Sequence, residues 1–495
     1  MHGKSHLEPT IGARRASYAG LFVLLTVGVV AVLGWWPGSS GPWPPSASSP
    51  SSTPDRFPSA EPINTGIEGL TTFRGNAARS YYGQGPVPDD PRIVWRYPSS
   101  GGLCGPSTVG GVTESWCGTG WTGQPNVVEV DGRVEVRFGA YDHGIHVVNA
   151  RTGKPVKEPF RTGDIVKGTV TSDPDGFPLL YTGSRDDAFR ILALDRGRSI
   201  TELWSLHADS APNPVWNNDW DGSALVIDDH LLLGGENSWF YVVKLNRAYD
   251  GEGKVTVAPE IRVMVPGYDD ELFSALGDQQ VSIENSVAFR DGVAYFANGG
   301  GLVQGWDVSK VLAGGERHER VFRFWAGDDI DASVVIDERG FLYVASEFER
   351  GNARSSEVGQ LMKLDPRKPK DPLIWSLAIE GGGVWATPAL HGRSLYVPTN
   401  TGRILAVNRR TGEIRWEIQL PGPTWSSPAV VDDVMIVGDC AGVLHAYDVR
   451  RARRPPEELW AVELDGCIES TPAVWKGMVY VGTRGGAVYG IGDAN

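Results

Sequence analysis

Carboxylates and tryptophans recur in the segments that separate the short apolar runs of this chain. Carboxylate oxygens bind cations and basic side chains, and indole rings bind cations through their faces and stack on sugars. One such group contains Asp219 and Asp221, a second contains Glu284 and Asn285, and a third contains Asp329. These residue types predict a site for a cation, a basic peptide or a carbohydrate. The candidate set is Trp121, Trp216, Asp219, Trp220, Asp221, Glu284, Asn285, Asp329, Asp331, Trp385, Trp425 and Glu469.

The composition limits the kind of partner. The chain has 495 residues, with 46 lysines and arginines against 60 aspartates and glutamates, which gives a net charge of −14. A nucleic-acid partner therefore has no electrostatic basis. The 63 glycines, 34 prolines and 18 tryptophans are typical of a β-rich protein with many tight turns.

A membrane anchor is predicted at the N-terminus. Residues 1–17 are polar with two arginines at their end, and residues 18–36 are apolar or small and end in two tryptophans. A helix over this second range is long enough to cross a hydrocarbon layer of about 30 Å. The basic flank predicts that residues 1–17 are cytoplasmic and that the rest of the chain is extracytoplasmic. The alternative is a signal peptide cleaved among the small residues around Ala47.

The anchor is followed by a segment that cannot fold by itself. Residues 37–66 are rich in proline and serine and carry few apolar side chains, so they cannot bury enough surface to offset the entropy of ordering. We interpret this segment as a linker that holds the remaining domain, residues 67–495, away from the membrane.

A repeated strand pattern fills that domain. Its last three copies begin at Ser394, Val434 and Met478, and each has a β-branched run, a glycine-bearing turn and a second run. The aspartate or asparagine that closes the second run recurs at intervals of 40 to 61 residues, which fits four-stranded propeller blades with loop insertions. These markers are Asn149, Asp195, Asn246, Asp307, Asp365, Asn408 and Asp448.

The eighth copy lacks its last strand. The chain ends shortly after Gly492, whereas residues 92–97, with the sequence RIVWRY, have the form of that strand and follow no blade of their own. Pairing the two would close the ring and remove two unpaired sheet edges. We therefore predict an all-β, eight-bladed propeller whose ring is closed by an N-terminal strand.

The sequence resembles the PQQ-like β-propeller family. The resemblance lies in FRGNAARSYYGQGPVPDDPRIVWRYP, residues 73–98, followed by repeated TPAV, VYVGT, LAVN, TG and W elements, and it covers about residues 67–493. That family includes quinone-dependent alcohol and glucose dehydrogenases as well as non-enzymatic propellers of the BamB type, which bind the outer-membrane assembly machinery. The present sequence is more similar to the BamB type.

The resemblance implies two different roles for the tryptophans. In this family a tryptophan on the last strand of a blade docks against the next blade, so these tryptophans are expected to be structural. The lead-in loops to the blades converge around the central channel, which places the candidate carboxylates and the remaining tryptophans at the channel mouth. The expected docking residues are Trp204, Trp375, Trp416 and Trp460.

The four cysteines are expected to pair in an oxidising compartment. Cys104 and Cys117 share one loop, and propeller topology places Cys440 and Cys467 on the same face. The predicted pairs are Cys104–Cys117 and Cys440–Cys467, and the other two connectivities remain open.

The cysteines also argue against an enzyme. Alcohol-oxidising relatives stack their quinone on two adjacent, disulfide-linked cysteines, and no two cysteines are adjacent here. The spacing around Glu284 and Asn285 does not reproduce the calcium motif of those enzymes, and the chain has no Cys-x-x-Cys-His haem site. We therefore expect no catalytic residues and neither PQQ nor Ca²⁺ as a cofactor.

The predicted function is that of a membrane-anchored, extracytoplasmic scaffold that binds another envelope or membrane protein complex. The compartment outside the membrane is periplasmic or extracellular. Two alternatives remain: an oxidoreductase or sensor that binds PQQ or another small ligand, and a binder of cell-wall polysaccharide. Fold class alone does not choose among them, because propellers serve many purposes.

Overall fold

A computed structural model describes residues 61–109, 111–120 and 123–493. The chain divides into one unit of Arg56–Ser107 and Thr113–Asn495 and a second unit of Met1–Asp55 and Thr108–Val112. The description below concerns the first unit. The predicted anchor lies outside the described residues, as does most of the linker. Within the described ranges, no helix is both long and apolar enough to cross a membrane.

The prediction of an all-β, eight-bladed propeller is confirmed. Blades 1 to 7 each contain a four-stranded antiparallel meander, and in blade 3 two hairpin strands separate the third strand from the fourth along the chain. Blade 1 consists of Asn126–Val130, Arg133–Ala140, Gly144–Asn149 and Phe160–Arg161, and blade 2 of Thr171–Ser172, Leu179–Gly183, Ala188–Arg196 and Ser199–His207. Blade 3 consists of Leu225–Ile227, His230–Gly234, Trp239–Lys244 and Glu260–Pro266, and blade 4 of Ala288–Arg290, Val293–Phe296, Leu302–Asp307 and Glu319–Trp325. Blade 5 consists of Val335–Ile336, Leu342–Ala345, Leu361–Leu364 and Leu373–Leu377. Blade 6 consists of Ala389–His391, Ser394–Pro398, Arg403–Asn408 and Ile414–Gln419. Blade 7 consists of Ala429–Val431, Val434–Gly438, Val443–Asp448 and Glu457–Glu463.

Blade 8 combines strands from distant parts of the chain. Its strands Ala473–Trp475, Met478–Gly482 and Val488–Asp493 are followed in the sheet by Pro91–Tyr97. This last strand pairs antiparallel with Val488–Asp493, with Ile93 opposite Ile491 and Trp95 opposite Gly490.

Short elements decorate the blades. Long connections within blades 3 and 4 and between them contain a small hairpin and two of the helices. The added strands are Glu68–Leu70 in blade 1, Gly83–Gln84 in blade 8, the hairpin strands Ala248–Tyr249 and Val255–Thr256, and the two-stranded sheet of Cys104–Val109 and Val112–Cys117. The helices are Ala208–Ser210, which is a 3₁₀ turn, Asp270–Leu276, Ser309–Leu312 and Ala353–Val358.

Tryptophans join neighbouring blades. The indole N–H of Trp375 donates to the Arg409 carbonyl of blade 6 at 3.1 Å. In the same way, Trp95 of blade 8 donates to the Ala150 carbonyl of blade 1 at 2.7 Å. Gly412 has a φ of +78° and lies under the Trp375 ring, where a Cβ would come within 2.8 Å of it. Only glycine fits both the backbone conformation and the space.

The other predicted docking tryptophans also lie on outer strands. Trp460 of blade 7 donates to the Pro88 carbonyl at 2.9 Å, in the segment that leads into blade 8. Trp416 belongs to the apolar cluster between blades 6 and 7, and Trp204 to the cluster between blades 2 and 3. Such inter-blade burial of indoles removes a large apolar area from water.

The centre of the ring is filled by the chain itself. We call residues 70–82 the channel segment. Its backbone carbonyls accept hydrogen bonds from the first strands of several blades: Thr71 from Ser172 at 2.7 Å, Ala77 from Phe289 at 2.7 Å and Ala78 from Ile336 at 3.0 Å. The segment therefore contacts blades 2, 4 and 5 in turn as it crosses the channel.

Two fully buried arginines anchor the channel segment. Arg74 donates to the Thr387 carbonyl at 2.9 Å, to the Pro388 carbonyl at 2.6 Å and to the Pro428 carbonyl. Burial lowers the pKa of Arg74 to about 10. The guanidinium fork thus ties the segment to blades 6 and 7 through neutral carbonyls.

Arg79 makes the same kind of contact on the other side of the ring. It donates to the Val287 carbonyl at 2.7 and 3.0 Å and to the Phe73 carbonyl at 2.8 Å. Burial lowers the pKa of Arg79 to about 9. Because the two arginines contact opposite blades, the channel segment acts as a central tie across the ring.

Candidate functional site

The candidate site lies on one face of the propeller. In an antiparallel meander the lead-in loop to the first strand and the turn between the second and third strands lie at the same end of the blade. We call this end the upper face. Buried carboxylates gather where the upper face meets the central channel, and they form two groups.

The first group surrounds a lysine from the lead-in loop of blade 2. Lys167 Nζ lies 2.5 Å from Asp221 Oδ2, 3.0 Å from Asp219 Oδ2 and 3.4 Å from Glu236 Oε1. Arg185 Nε lies 2.8 Å from the same oxygen of Asp219. The three carboxylate side chains are almost fully buried. We call these three acids and Lys167 the lysine cluster.

The charges of the lysine cluster compensate one another. Burial and Arg185 lower the pKa of Lys167, but Asp219, Asp221 and Glu236 outweigh them and raise it well above its usual value. Burial raises the pKa of Asp219, but Lys167 and Arg185 together hold it below its usual value. The lysine is therefore protonated at neutral pH.

Lys167 also affects whether the lysine cluster can bind a metal ion. Oxygens of Asp219, Asp221 and Glu236 lie within 4.8 Å of one another, which is close enough to share a metal ion. The ammonium group of Lys167 already stands among them, where such an ion would have to bind. Asp331, which the sequence predicts as a candidate together with Asp219 and Asp221, belongs to the second group.

The second group has no such counter-ion. Glu284, Asp329, Asp331 and Glu347, which we call the acidic quartet, are each between 4% and 6% exposed. Ser282 Oγ donates to Glu284 Oε1 at 2.5 Å. Asp329 Oδ1 and Glu347 Oε1 are buried without a hydrogen-bond partner. Among the residues that the structure describes, no lysine or arginine forms an ion pair with the quartet.

The pKa values of three members of the quartet are raised by burial and by the negative charges of their neighbours. Burial raises the pKa of Glu284 well above its usual value, and the negative charge of Asp331 raises it further. Burial and Asp331 likewise raise the pKa of Asp329, while the more distant Arg350 lowers it. For Glu347, burial acts first, and the charge of Asp331 and a hydrogen bond with it add to the rise. Glu284, Asp329 and Glu347 therefore hold protons more readily than free carboxylic acids do, and a bound cation could replace those protons.

An aromatic pocket opens beside the quartet. The indole N–H of Trp385 donates to Asp331 Oδ2. The Trp385 and Trp425 rings meet edge to face, with centroids 5.2 Å apart and planes at 83°. Phe73 of the channel segment lines the same pocket, whose remaining lining is Ser286, Ser333, Ala386, Thr387 and Ser427. Its free volume is about 20 Å³, which is room for one water molecule or one ammonium group.

The opposite side of the upper face is covered by basic and aromatic side chains. Arg484 lies over the Trp116 ring at 5.0 Å and over the Tyr141 ring at 4.9 Å. Arg484 Nη1 lies 3.2 Å from Glu469 Oε1, which pairs the predicted acid with a cation. The His143 ring nitrogen Nε2 donates to the Pro106 carbonyl at 2.8 Å.

Two disulfides strengthen this face. The structure joins Cys104 to Cys117 and Cys440 to Cys467, the same pairs that the sequence predicts. The second bridge links the turn between two strands of blade 7 to the lead-in loop of blade 8. It holds two neighbouring blades together at the channel mouth.

Two predicted site residues, Trp220 and Asn285, do not line the mouth. Trp220 is 1% exposed and packs between Phe189 and Tyr241, so the prediction that it lies at the mouth is wrong. Its large apolar ring is instead part of the core between blades 2 and 3. Asn285 is buried, and its amide bonds to the Ala297 and Ile330 carbonyls, which leaves it a structural role.

The remaining predicted residues are less informative. Trp216 is half-buried in the loop before blade 3 and has a φ of +78°. Trp121 lies outside the described residues, so the prediction made for it stays a prediction.

Several important residues were missed by the sequence reasoning. Lys167 lies in a lead-in loop, whereas Glu236 and Glu347 lie in turns between the second and third strands of their blades. Those turns lie on the upper face by the same topological rule, so a search of both kinds of connection would have found the acids. Arg185 lies in the corresponding turn of blade 2 and would have been found by the same search, whereas Phe73 of the channel segment had no comparable signal.

The fold and the upper face define this protein as an eight-bladed propeller with an acidic, aromatic channel mouth. Residues 357–492 match the family described as "Outer membrane protein assembly factor BamB". The match and the eight-bladed fold confirm the predicted resemblance to PQQ-like β-propellers. No curated protein matches the chain in sequence.

Solved structures resemble the chain in fold. A europium-containing methanol dehydrogenase is 12% identical, with a TM-score of 0.57 over 86% of this chain and 98% of its own. The computationally designed Ika8 protein is 13% identical, with a TM-score of 0.52 over 76% and 96%. BamB from Moraxella catarrhalis is 13% identical, with a TM-score of 0.39 over 82% and 99%. At identities this low, the two structures with TM-scores above 0.5 show the fold alone.

The channel mouth does not fit PQQ, the quinone cofactor of the quinone-dependent dehydrogenases. PQQ is a planar, fused-ring tricarboxylate, so its site must offer a flat slot and positive charge. The aromatic pocket has about 20 Å³ of free volume and faces the buried carboxylate of Asp331. The nearby cation Lys167 is already paired with Asp219 and Asp221. We derive no reaction step through this cofactor.

Proposed function

We propose that this protein is a scaffold that binds a partner protein complex through the upper face of its propeller. One observation carries the proposal: the channel segment fills the centre of the ring, anchored by Arg74 and Arg79. A propeller with a filled channel can offer its faces to a partner but has little room for a substrate inside. The upper face offers an aromatic pocket beside buried acids, which are residue types suited to anchoring a basic side chain.

The family match supports a binding role. The matched family is described as an assembly factor, and its name refers to a component of a larger complex. We propose by analogy that the present protein also works within an assembly, with a partner in the cell envelope or membrane. The analogy is one of fold and sequence pattern and does not identify the partner.

We further propose that the propeller is held outside the membrane. Residues 18–36 would form the single membrane-spanning helix, with residues 1–17 in the cytoplasm and residues 37–66 as the linker. Two disulfides in the propeller support an oxidising, extracytoplasmic compartment. The pairing of Pro91–Tyr97 with Val488–Asp493 supports closure of the ring by an N-terminal strand.

Crosslinking of the full-length protein in its native membrane, followed by mass spectrometry, tests this proposal. Two variants keep the blades intact and differ in the face that they alter. Trp425→Ala changes the half-exposed rim of the aromatic pocket, whereas Ile374→Thr changes an exposed position on the outermost strand of blade 5. The first should lose the crosslinks to an envelope protein, and the second should keep them.

Two outcomes would contradict the proposal. If both variants keep the same partner, the upper face is not the binding surface. If no partner is captured while known envelope complexes are recovered from the same membranes, the scaffold role fails. Retention of the purified propeller on insoluble cell wall would then favour the polysaccharide-binding alternative.

A further inference from the structure

The propeller contains two neighbouring groups of buried carboxylates that differ in one respect. In the lysine cluster, three acids surround the ammonium group of Lys167 at 2.5 to 3.4 Å. In the acidic quartet, the residues that the structure describes supply no ammonium or guanidinium within ion-pairing distance. The two groups are close enough to interact, because the charges of Glu236 and Asp221 add to the raised pKa of Glu284.

Burial of a carboxylate oxygen without a hydrogen-bond partner is unfavourable, and two oxygens of the quartet are buried in this way. Asp329 Oδ1 and Glu347 Oε1 have no hydrogen-bond partner although both residues are more than nine-tenths buried. Such an acceptor has lost its hydrogen bonds to water without gaining others, which destabilises the folded protein. Asp331 is the member of the quartet that lines the adjacent pocket, so a positive charge bound there would lie beside these acids.

The pocket beside the quartet has the lining of an ammonium site. Asp331 belongs to both, since it shares a hydrogen bond with Glu347, lines the pocket and also accepts the indole N–H of Trp385. Trp385 and Trp425 add two indole rings, which attract cations through their faces. The free volume of about 20 Å³ admits one small polar head.

A divalent metal ion fits this place less well. Among the described residues, the clusters that bring three potential ligand atoms within 4.8 Å of one another are Asp219, Asp221 and Glu236, and Cys440, Cys467 and Glu469. The quartet is not one of them, so it does not present a compact oxygen cage. Metal ions need several oxygens at 2.0 to 2.6 Å, whereas an ammonium group can combine one or two carboxylates with an aromatic face.

We propose that the aromatic pocket and the acidic quartet form a binding site for a primary ammonium group, with Asp331 as the main anion and Trp385 and Trp425 as its aromatic walls. Lys167 shows within the same molecule how such a group is held by three carboxylates. The ammonium group comes from a lysine side chain of a partner protein or from a small free amine. The first source rests on the proposed scaffold function, and the second does not.

Calorimetric titration of the full-length protein distinguishes these sources. The probes are an end-blocked Gly-Lys-Gly peptide, the same peptide with its lysine Nε-acetylated, cadaverine and Ca²⁺. We expect saturable binding of the lysine peptide and none of the acetylated peptide, because acetylation removes the charge. ¹⁹F NMR of protein labelled with 5-fluorotryptophan should show shifts of the Trp385 and Trp425 resonances, which Trp→Phe variants identify.

Two variants locate the binding. Asp331→Asn keeps the shape of the side chain and should weaken binding about tenfold or more, as expected when a charge-assisted hydrogen bond is lost. Asp432→Asn, at an exposed aspartate far from the upper face, should leave binding unchanged. Thermal unfolding of each variant checks that it is folded, and Trp425→Ala provides a second test if Asp331→Asn is not.

The outcomes separate this inference from the proposed function. Equal binding of the acetylated peptide, tighter binding of Ca²⁺ than of any amine, or binding that survives in Asp331→Asn would overturn the ammonium site. Failure of every amine to bind, together with an intact partner crosslink, would overturn the site but leave the scaffold role standing. Binding of cadaverine without the lysine peptide would support the site and assign it to a small amine.

Discussion

Replacing Lys167 by methionine is the most direct test of how the channel mouth is built. Methionine keeps most of the length of the side chain but removes the ammonium group from Asp219, Asp221 and Glu236. The three acids would then face one another in a buried site, with Arg185 reaching one of them. Breaking a buried ion pair by removing one partner costs about 3 to 5 kcal/mol.

The stability lost in Lys167→Met should be smaller in acid than near neutral pH. Because the folded-state pKa of Lys167 is raised, its contribution to stability is fully present below about pH 10.5 and is lost only at higher pH. Burial and the charge of Asp219 already raise the pKa of Asp221 well above its usual value in the intact protein, and the variant loses the lysine that lowers it, so acid can neutralise this carboxylate in the folded variant. The variant should therefore lose less stability at about pH 5 than at about pH 7.5.

Urea denaturation at the two pH values measures these differences. Lys370→Met, at an exposed lysine, is the matched control and should change the free energy of unfolding by less than about 0.5 kcal/mol. Adding Asp221→Asn to Lys167→Met should recover part of the loss, because it removes one of the uncompensated charges. A Lys167→Met protein as stable as the control at both pH values would refute the assignment of Lys167 as the internal counter-ion.

Three further predictions concern the ring. Arg79→Met should lower the free energy of unfolding by at least about 3 kcal/mol, since buried carbonyls lose a charged donor, whereas Arg92→Met at the surface should not. Trp95→Ala should lower the free energy of unfolding by about 3 to 5 kcal/mol in the same urea assay. A smaller decrease would argue against closure of the ring at blade 8. His445→Gln should lower the free energy of unfolding more at about pH 5.5 than at about pH 8.5. Burial lowers the pKa of His445, but Asp439 and Glu458 outweigh it and raise this pKa above 6.5. The contribution of His445 to stability therefore fades as pH rises. A loss independent of pH would contradict that reading.

The blades could be predicted because their signals are local. A strand, a glycine turn, a second strand and a terminal tryptophan lie within about 40 residues, and each preference depends on near neighbours in the chain. Trp375 and Gly412 illustrate this, since the repeat contains both the indole and the glycine on which it packs. Blades 3 and 4 were harder to delimit because inserted elements interrupt the pattern.

The channel mouth was predicted only in part. The sequence reasoning identified Asp329, Asp331, Trp385 and Trp425 as candidates, and the structure brings Asp331 together with both tryptophans. It did not identify Glu347, which completes the quartet from a different kind of connection. It also placed Trp220 at the mouth, although apolar packing against two neighbouring blades holds that ring in the core.

The sequence by itself determined the fold class, the number of repeats and the residue types available at the upper face. It did so because strand and turn preferences act over a few residues and repeat along the chain. Only the tertiary structure decided which charges meet, since Lys167 and Glu236 lie far apart in sequence and come together across blades. The same holds for the channel segment, whose Arg74 reaches carbonyls of Thr387 and Pro428 that no local pattern connects to it. Such pairings depend on how blades are arranged around the ring, and that arrangement is set by packing of the whole domain.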